Sequence, residues 1–258
     1  MTSLRQALLL EDTGVISLVG GGGKTSLMFQ LAHELSMAGE SVLTTTTTKI
    51  FQPSRDQTPR VVLADSAVEL LNAAEKLLPQ HRHFTAAAGR LASLGKLAGF
   101  QPQLIEEIWN AGLFRWIIIE ADGAAGRPLK APADHEPVIA ACTRQLVGIV
   151  GLNVVGKPLQ DRWVFRSALF SLITGRQSGS SITPDAVADV LVHERGIFKG
   201  GTAGMTHIAF FNQADLPHNL EAGRQIVHRL SKRNSGGLKR AVIGQVRCEP
   251  PVLEVYDL

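Results

Sequence analysis

Cysteine is scarce in this sequence, which has only Cys142 and Cys248 among its 258 residues. The two form no C-x-x-C pair, so we expect ordinary buried thiols and neither a disulfide framework nor a zinc site. Long hydrophobic runs are also missing, since no segment approaches the roughly 18 apolar residues that a membrane-spanning helix needs. These absences are expected of a cytoplasmic protein that has no membrane partner.

A large excess of charge of either sign is missing as well. Lysine and arginine total 26, aspartate and glutamate total 23, and the formal net charge is +3. This small surplus suits an anionic small molecule and does not indicate nucleic acid as a partner. The hydrophobic fraction of 45% is ordinary for a globular protein, and 258 residues are enough to bury a core. We find no internal repeat and predict a single domain over residues 1–258.

The most informative segment is a run of four glycines between a predicted strand and a predicted helix. Residues 15–19 are apolar, and Leu27, Met28 and Leu31 recur at helical spacing after the glycines. A phosphate-binding loop requires this order, because glycines let backbone N–H groups approach phosphate oxygens and the helix N-terminus attracts anions. The predicted nucleotide contacts in this loop are Gly20, Gly21, Gly22, Gly23, Lys24, Thr25 and Ser26.

Two side chains of this loop have predicted chemical roles. Lys24 is expected to reach the β- and γ-phosphates and to act in catalysis, and the Thr25 hydroxyl is expected to ligate Mg²⁺. The usual longer pattern G-x-x-x-x-G-K-[ST] would require a glycine where the sequence has Leu18, so the matching pattern is G-x-x-G-K-T. This shorter form resembles the loop of Mur-type peptide ligases, which keeps a ligase or a phosphotransferase open as an alternative to a nucleoside triphosphatase.

A second informative segment ends in two carboxylates. Residues 116–119 are strongly apolar, which is typical of a strand buried on both faces of a parallel sheet, and Glu120 and Asp122 follow. A carboxylate at the end of such a strand can hold Mg²⁺ and orient an attacking water molecule. Glu120 and Asp122 are therefore candidate metal ligands, together with Thr25, and candidate catalytic residues. Either of the two carboxylates can be the one that meets the metal.

Five consecutive threonines, residues 44–48, precede Lys49 in a predicted strand. We expect this strand to lie next to the strand that leads into the glycine loop. Its carboxyl end would then bring Thr47 and Lys49 beside the γ-phosphate and the metal. The alternative is a threonine-rich edge strand.

A proline-restricted loop, residues 126–137, begins just after the two carboxylates. Its position allows Arg127, Lys130 and His135 to face the γ-phosphate or a second substrate, and we take Lys130 and His135 as candidate catalytic residues. The alternative is that these residues are solvated loop charges.

The segment Asn212-Gln-Ala-Asp215 follows a late apolar strand and has the form N-[KQT]-x-D. In GTPases this motif reads guanine. The carboxylate, here Asp215, accepts hydrogen bonds from the N1–H and exocyclic amine of the base, and Asn212 braces the pocket. The motif favours GTP over ATP, but Gln213 stands where lysine is usual, so both nucleotides remain candidates. An ordinary Asn/Asp turn is the alternative.

Five segments together, VGGGGKTS, TTTTKI, EADG, PLKAPADHEP and NQAD, resemble the YqeC-type accessory proteins of selenium-dependent molybdenum hydroxylases. The likeness extends over residues 10–245. It implies a cytoplasmic nucleotide-binding protein that helps to mature such a hydroxylase, with the hydroxylase or a molybdenum-cofactor protein as its partner. The positions that match the family's motifs are residues 20–25 and 46–49, Glu120, Asp122, Lys130, His135 and Asp215.

From these patterns we predict an α/β protein with a three-layer P-loop NTPase-like fold, a mainly parallel sheet and a small helical insertion at residues 160–200. One helix of this insertion is predicted over 161–174, and another begins at Pro184 after an N-capping threonine. The predicted function is Mg²⁺-dependent binding and hydrolysis of GTP or ATP. A phosphotransferase or ligase that acts on a small acceptor, or a nucleotide sensor that does not hydrolyse, is the alternative.

Overall fold

The structure is a computed structural model that describes residues 2–232 and 237–258. Its helices are α1 (Leu4–Ala7), α2 (Lys24–Met37), α3 (Ala67–Leu77), α4 (Pro102–Asn110), α5 (Ser167–Thr174), α6 (Pro184–Val192) and α7 (Pro217–Lys232). Its strands are β1 (Gly14–Gly20), β2 (Val42–Thr46), β3 (Lys49–Phe51), β4 (Val61–Leu63), β5 (His83–Ala87), β6 (Gly89–Leu91), β7 (Lys96–Ala98), β8 (Trp116–Glu120), β9 (Leu129–Lys130), β10 (Gln145–Gly151), β11 (Val164–Phe165), β12 (Thr206–Asn212), β13 (Leu238–Gly244) and β14 (Val252–Asp257).

Nine of these strands form one sheet in the order β14-β13-β12-β10-β1-β8-β2-β5-β4. All neighbouring pairs are parallel except β13 and β14. Every residue of β1, β8 and β10 is buried, because the central strands of a parallel sheet are covered on both faces. The predicted α/β class with a mainly parallel sheet is confirmed.

Two hydrophobic cores lie on opposite faces of the sheet. Successive side chains of a strand alternate between faces, and in β1 Val15 and Val19 join the core that contains α3, α4, α6 and α7. Ile16 and Leu18 join the other core, against α1 and α2. Helices, sheet and helices therefore make three layers, as the P-loop-like fold prediction required.

The expected order of the first strands is wrong. We expected β2 beside β1, but β8 lies between them and pairs in parallel with both. The centre of a parallel sheet favours a wholly apolar strand, and Ile117–Ile119 meets this condition better than the threonines of β2. Glu120, at the end of β8, consequently lies between the glycine loop and the threonine run.

The threonine run is buried at residues 44–46 and half-buried at residues 47 and 48, and its hydroxyls are paired. Thr44 and Thr45 hydrogen-bond across to β5. The hydroxyl of Thr46 donates to the carbonyl of Glu120 at 2.7 Å, and that of Thr47 donates to a backbone carbonyl outside the sheet at 2.7 Å. The threonines therefore fix the backbone at the carboxyl end of β8.

The segment between the parallel neighbours β10 and β12 carries α5 and α6. Helix α6 begins as predicted, since the side chain of Thr183 accepts a hydrogen bond from the N–H of Ala186. The helix predicted over 161–174 begins only at Ser167. Val164 and Phe165 before it form β11, which pairs in parallel with β9. β-branched and aromatic residues such as these favour strands.

A second, antiparallel sheet has the order β3-β7-β6 and is called the small sheet below. Ile50 and Leu97 bury one of its faces in the core on the α2 side. The N–H of Gly99 donates to the carbonyl of Thr48 at 2.7 Å, and the N–H of Phe100 donates to the carbonyl of Thr46 at 2.9 Å. These contacts attach the small sheet to the end of β2.

The sparse cysteines have different environments. Cys142 is half-buried, and burial raises the pKa of its thiol to about 11. Cys248 is exposed, so the prediction of two buried thiols is wrong for this residue, which follows the last parallel strand in a surface loop. As expected, none of the helices within residues 2–232 and 237–258 is long and apolar enough to cross a membrane.

Candidate functional site

A cleft of about 500 Å³ opens at the carboxyl ends of the central strands. This volume is within the range of small-molecule sites, and the carboxyl edge of a parallel sheet is where α/β proteins usually bind ligands. The predicted site residues that line the cleft are Gly22, Gly23, Lys24, Thr25, Ser26, Lys49, Glu120, Arg127, Asn212 and Asp215. The predicted residues outside its lining are Gly20, Gly21, Thr47, Asp122, Lys130 and His135.

The glycine loop exposes its N–H groups at its helical end. The N–H groups of residues 20–22 donate to acceptors inside the protein at 2.8 to 3.0 Å. The first hydrogen bond of α2 runs from the N–H of Leu27 to the carbonyl of Gly23 at 2.9 Å, so the N–H groups of residues 23–26 have no helical acceptor. The N–H groups that remain available to a ligand are therefore those of residues 23–26, the second half of the segment 20–26 that was predicted to contact nucleotide.

Close packing explains the glycines at positions 22 and 23. Their φ angles are +82° and +129°, which only glycine adopts readily. A Cβ at Gly22 would lie 2.2 Å from the backbone nitrogen of Gly151, and one at Gly23 would lie 2.3 Å from Nδ2 of Asn212. A side chain at either position would displace the loop or its neighbours.

Lys24 is buried among acceptors at the base of the cleft. Its Nζ donates to the carbonyl of Gly20 at 2.6 Å and lies 3.2 Å from Oδ1 of Asp122 and 3.8 Å from Oε1 of Glu120. Burial lowers the pKa of Lys24, but the two carboxylates outweigh burial and the net shift is upward. The ammonium group therefore stays charged at neutral pH.

Thr25 and Glu120 bring two oxygen atoms together at the wall of the cleft. Oγ1 of Thr25 donates to Oε2 of Glu120 at 2.6 Å. Burial raises the pKa of Glu120, while Lys24 and the hydrogen bond from Thr25 act in the opposite direction. Within the described ranges there is no group of three or more His, Cys, Asp or Glu side chains that could hold a metal ion.

Asp122 has a different environment from Glu120. It is 1% exposed, and its Oδ2 accepts a hydrogen bond from the N–H of Gly20 at 3.0 Å. The same oxygen lies 3.0 Å from Nζ of Lys130. Asp122 thus anchors the glycine loop and two lysines from beneath the cleft.

Lys130 continues this buried chain of charges away from the cleft. Its side chain is fully buried, and its Nζ donates to Oε2 of Glu136 at 2.8 Å. Arg166 contacts the same carboxylate. Burial would raise the pKa of Glu136, but hydrogen bonds from Arg166 and Lys130 outweigh it and lower the pKa to about 2. Lys130 is enclosed by these partners and His135 is exposed outside the cleft, so neither has the position expected for contact with a second substrate.

Asn212 joins the glycine loop to the opposite end of the cleft. Its Nδ2 donates to the carbonyl of Gly22 at 2.8 Å, and its Oδ1 accepts from the N–H of Val246 at 3.0 Å. Asp215 is exposed in the cleft wall, and its carboxylate has no hydrogen bond or ion pair with any residue that the structure describes. The side-chain oxygen of Gln213, between them, is buried without a partner.

Several residues of the cleft were not predicted from the sequence, because they belong to no recognised motif. Phe51 and Lys96 line the cleft from the small sheet, and Arg247 and Cys248 line it from the loop after β13. The alternation of exposed Lys49, buried Ile50 and exposed Phe51 is the one local signal that could have identified part of this wall. Long-range pairing brings the other residues into the cleft.

The fold and the cleft define a three-layer α/β protein of the P-loop type. Comparison with known proteins specifies the family. The family model described as "YqeC protein" matches residues 16–168. A relative from Escherichia coli (strain K12), named "Uncharacterized protein YqeC", is 33% identical over 243 residues, which cover 92% of this chain and 90% of the relative. The chain belongs to the YqeC family.

Proposed function

We propose that this protein binds a magnesium nucleoside triphosphate in the cleft and hydrolyses it, with GTP preferred over ATP. The observation that most strongly supports the proposal is the convergence of three elements on one cavity: the N–H groups of residues 23–26, the Thr25–Glu120 oxygen pair, and the unpaired carboxylate of Asp215. These are donors for phosphate, ligands for a hard cation and an acceptor for a base edge.

The phosphate groups would lie at the start of α2. There the free N–H groups and the positive end of the helix attract anions, and Lys24 supplies a full positive charge beside them. In this structure the ammonium of Lys24 is held by Asp122 and Glu120. A bound triphosphate would compete with these carboxylates for the same ammonium group.

The oxygens of Thr25 and Glu120 fit a magnesium site. Neighbouring ligands of an octahedral Mg²⁺ with bonds of 2.0–2.1 Å lie about 2.9 Å apart, and this pair lies 2.6 Å apart as a hydrogen bond. Two protein oxygens suffice, because Mg²⁺ usually completes its coordination with phosphate and water oxygens. When bound, Mg²⁺ would neutralise charge on the β- and γ-phosphates. Glu120 is thus the metal ligand in this proposal, and Asp122 is the anchor of the loop.

The base would lie between Asp215 and residues 245–248. A free carboxylate accepts hydrogen bonds from the N1–H and amino groups of guanine, whereas adenine offers an acceptor at N1 and would repel it. Asn212 holds this end of the cleft against the glycine loop. These contacts favour GTP.

The resemblance to YqeC-type accessory proteins supplies the biological setting of this proposal. We infer that nucleotide turnover serves the maturation of a selenium-dependent molybdenum hydroxylase, and that the partner is that enzyme or a molybdenum-cofactor protein. Transfer of the phosphoryl group to a small acceptor remains the second candidate function. It is favoured by the part of the cleft that lies beyond Glu120, on the side of the small sheet.

Protection of Cys248 tests nucleotide binding directly. Cys248 is exposed in the proposed base-binding part of the cleft, so saturating Mg-GTP should slow its alkylation by N-ethylmaleimide about tenfold or more. Cys142 is an internal control, because burial raises the pKa of its thiol to about 11 and it lies outside the cleft lining. Mass spectrometry of the two peptides measures both rates, and an unchanged Cys248 rate at saturating GTP and ATP would refute the proposal.

Replacement of Asp215 tests the reading of the base. The variant Asp215→Asn should lower the GTP-to-ATP affinity ratio about tenfold, because it loses hydrogen bonds that are strengthened by charge. The measurement is competition of each nucleotide with a fluorescent analogue. Asp65→Asn, an exposed change outside the cleft lining, is the control. A wild-type ratio in Asp215→Asn would show that this carboxylate does not contact the base.

A further inference from the structure

We propose that the exposed face of the small sheet is a second ligand subsite of the cleft, for a small anionic molecule that carries a planar ring. The subsite consists of Lys49, Phe51 and Lys96. This inference rests on the proposed function, because the first ligand of the cleft is the nucleotide. It adds the chemical class of the second ligand.

The order of the strands separates the two subsites. Asn212 is the last residue of β12 and Asp215 follows it, and β12 lies on one side of β1. Lys49 and Phe51 follow β2, which lies on the other side of β1, with β8 and its Glu120 between. A nucleotide whose base lies near Asp215 and whose metal lies at Glu120 would therefore have its terminal phosphate directed toward the small sheet.

Register brings the three side chains of the subsite onto one face. Lys49 and Phe51 are exposed on either side of buried Ile50, and Lys96 pairs with Phe51 across β3 and β7. Paired residues of an antiparallel sheet project to the same side. Nζ of Lys96 lies 4.7 Å from the centroid of the Phe51 ring.

Backbone contacts hold this face in a defined position relative to Glu120. A Cβ at Gly99, which follows β7, would lie 2.5 Å from the carbonyl oxygen of Thr46, so the two backbones are in direct contact. The N–H of Thr47, just before β3, donates to the carbonyl of Glu120 at 3.2 Å. The small sheet is thus part of the wall around the carboxylate and not a loose appendage.

The chemistry of the face specifies its ligand. Neither Lys49 nor Lys96 forms an ion pair with a carboxylate in the described ranges, although both line a cavity. Phe51 is 69% exposed, which leaves one of the largest apolar side chains open to solvent. Two ammonium groups without a carboxylate partner can bind an anionic group such as phosphate or carboxylate. The ammonium of Lys96 covers part of the Phe51 ring, and the exposed remainder of the ring can stack on a planar ligand.

Pyridoxal 5′-phosphate is a suitable probe, since it has a planar ring, a phosphate and an aldehyde that forms an imine with a lysine amine. Borohydride reduction fixes the imine, and mass spectrometry identifies the labelled lysine. The experiment uses the full chain saturated with Mg²⁺ and a non-hydrolysable GTP analogue, which covers Lys24. We expect labelling of Lys49 or Lys96 to saturate and inorganic phosphate to compete with it. The exposed lysines Lys76, Lys157 and Lys239 should label without saturation.

Substitutions on the two faces of the small sheet distinguish a specific binding site from general attraction to a charged surface. Phe51→Ala should raise the half-saturating probe concentration about tenfold, since it removes the ring on which the planar probe would stack. Arg90→Ala removes a charge from the same sheet at a position paired with buried Leu97, and should change nothing.

Two results would overturn this inference while Cys248 remains protected by nucleotide. One is labelling of Lys49 and Lys96 that does not saturate, as on the exposed lysines, and the other is an unchanged half-saturation in Phe51→Ala. Loss of Cys248 protection in the wild-type protein would instead refute the proposed nucleotide function. The two failures are therefore distinguishable.

Discussion

Replacing Lys24 with methionine should weaken the binding of both Mg-GTP and Mg-ATP by about 100-fold, which corresponds to about 2.7 kcal/mol. Methionine keeps an unbranched side chain of similar length but removes the charge that would face the phosphates. A lost hydrogen bond between charged groups costs about 1.5–3 kcal/mol, which accounts for most of this effect. The measurement is a titration of Cys248 protection, with the unfolding of each variant followed in parallel.

Lys130→Met is the matched control, because both lysines contact Asp122 and only one lines the cleft. Lys130→Met removes one positively charged partner from Asp122, as Lys24→Met does, and it also removes a partner from Glu136. We expect a clear loss of stability, because breaking a buried ion pair costs about 3–5 kcal/mol, with nucleotide affinity retained. If Lys24→Met also loses only stability, then Lys24 is a structural ion-pair partner and the phosphate-loop proposal is wrong.

The second large effect is expected from Glu120→Gln, which should reduce nucleotide hydrolysis about 100-fold and change affinity only severalfold. Glutamine keeps an oxygen that can accept the hydrogen bond from Thr25, but it lacks the negative charge that a divalent cation requires. The measurement is phosphate release as a function of Mg²⁺ concentration. Losses of equal size in affinity and turnover would argue that Glu120 has only a structural role.

The pH dependence of Mg²⁺ affinity gives an independent test of Glu120 as the metal ligand. Burial raises the pKa of Glu120, and the deprotonated form binds the metal, so the apparent affinity for Mg²⁺ should rise with pH as this carboxyl ionises. Glu120→Gln should remove that rise. Glu136→Gln is the control, because the pKa of Glu136 is lowered to about 2 and its charge is constant at higher pH. An identical pH profile in Glu120→Gln and the wild type would contradict the assignment.

The arrangement around Lys24 suggests why nucleotide and metal would bind together. In the structure Lys24 is shared between Asp122 and Glu120, and Glu120 is also bonded to Thr25. A triphosphate alone would have to remove the ammonium from two carboxylates. With Mg²⁺ present, Glu120 and Thr25 would exchange their contacts for the cation, which offsets the loss. Mg²⁺ should therefore increase nucleotide affinity in the wild-type protein, and less so in Glu120→Gln.

The local elements of this protein follow directly from the amino-acid sequence. The strand, glycine loop and helix over residues 14–37 were predictable from short-range signals: the spacing of apolar residues, a run of glycines and the start of a helical pattern. Each of these signals involves only residues that are close together in the sequence. The buried strand that ends at Glu120 and the capped start of α6 were predictable for the same reason. The three-layer parallel architecture followed from the alternation of such strands and helices.

Tertiary structure alone decided the order of the strands, and with it the environment of each candidate residue. Because β8 lies between β1 and β2, Glu120 at its end lines the wall of the cleft. The contacts of Asp122 with Gly20 and Lys130 hold the Asp122 side chain beneath the cleft. Lys130 and His135 both come after β8 in the sequence, yet Lys130 is buried in ion pairs and His135 lies outside the cleft. Phe51 and Lys96 are 45 residues apart and meet only through strand pairing. Short-range periodicity determines secondary structure, whereas burial and charge partners depend on which distant strands become neighbours.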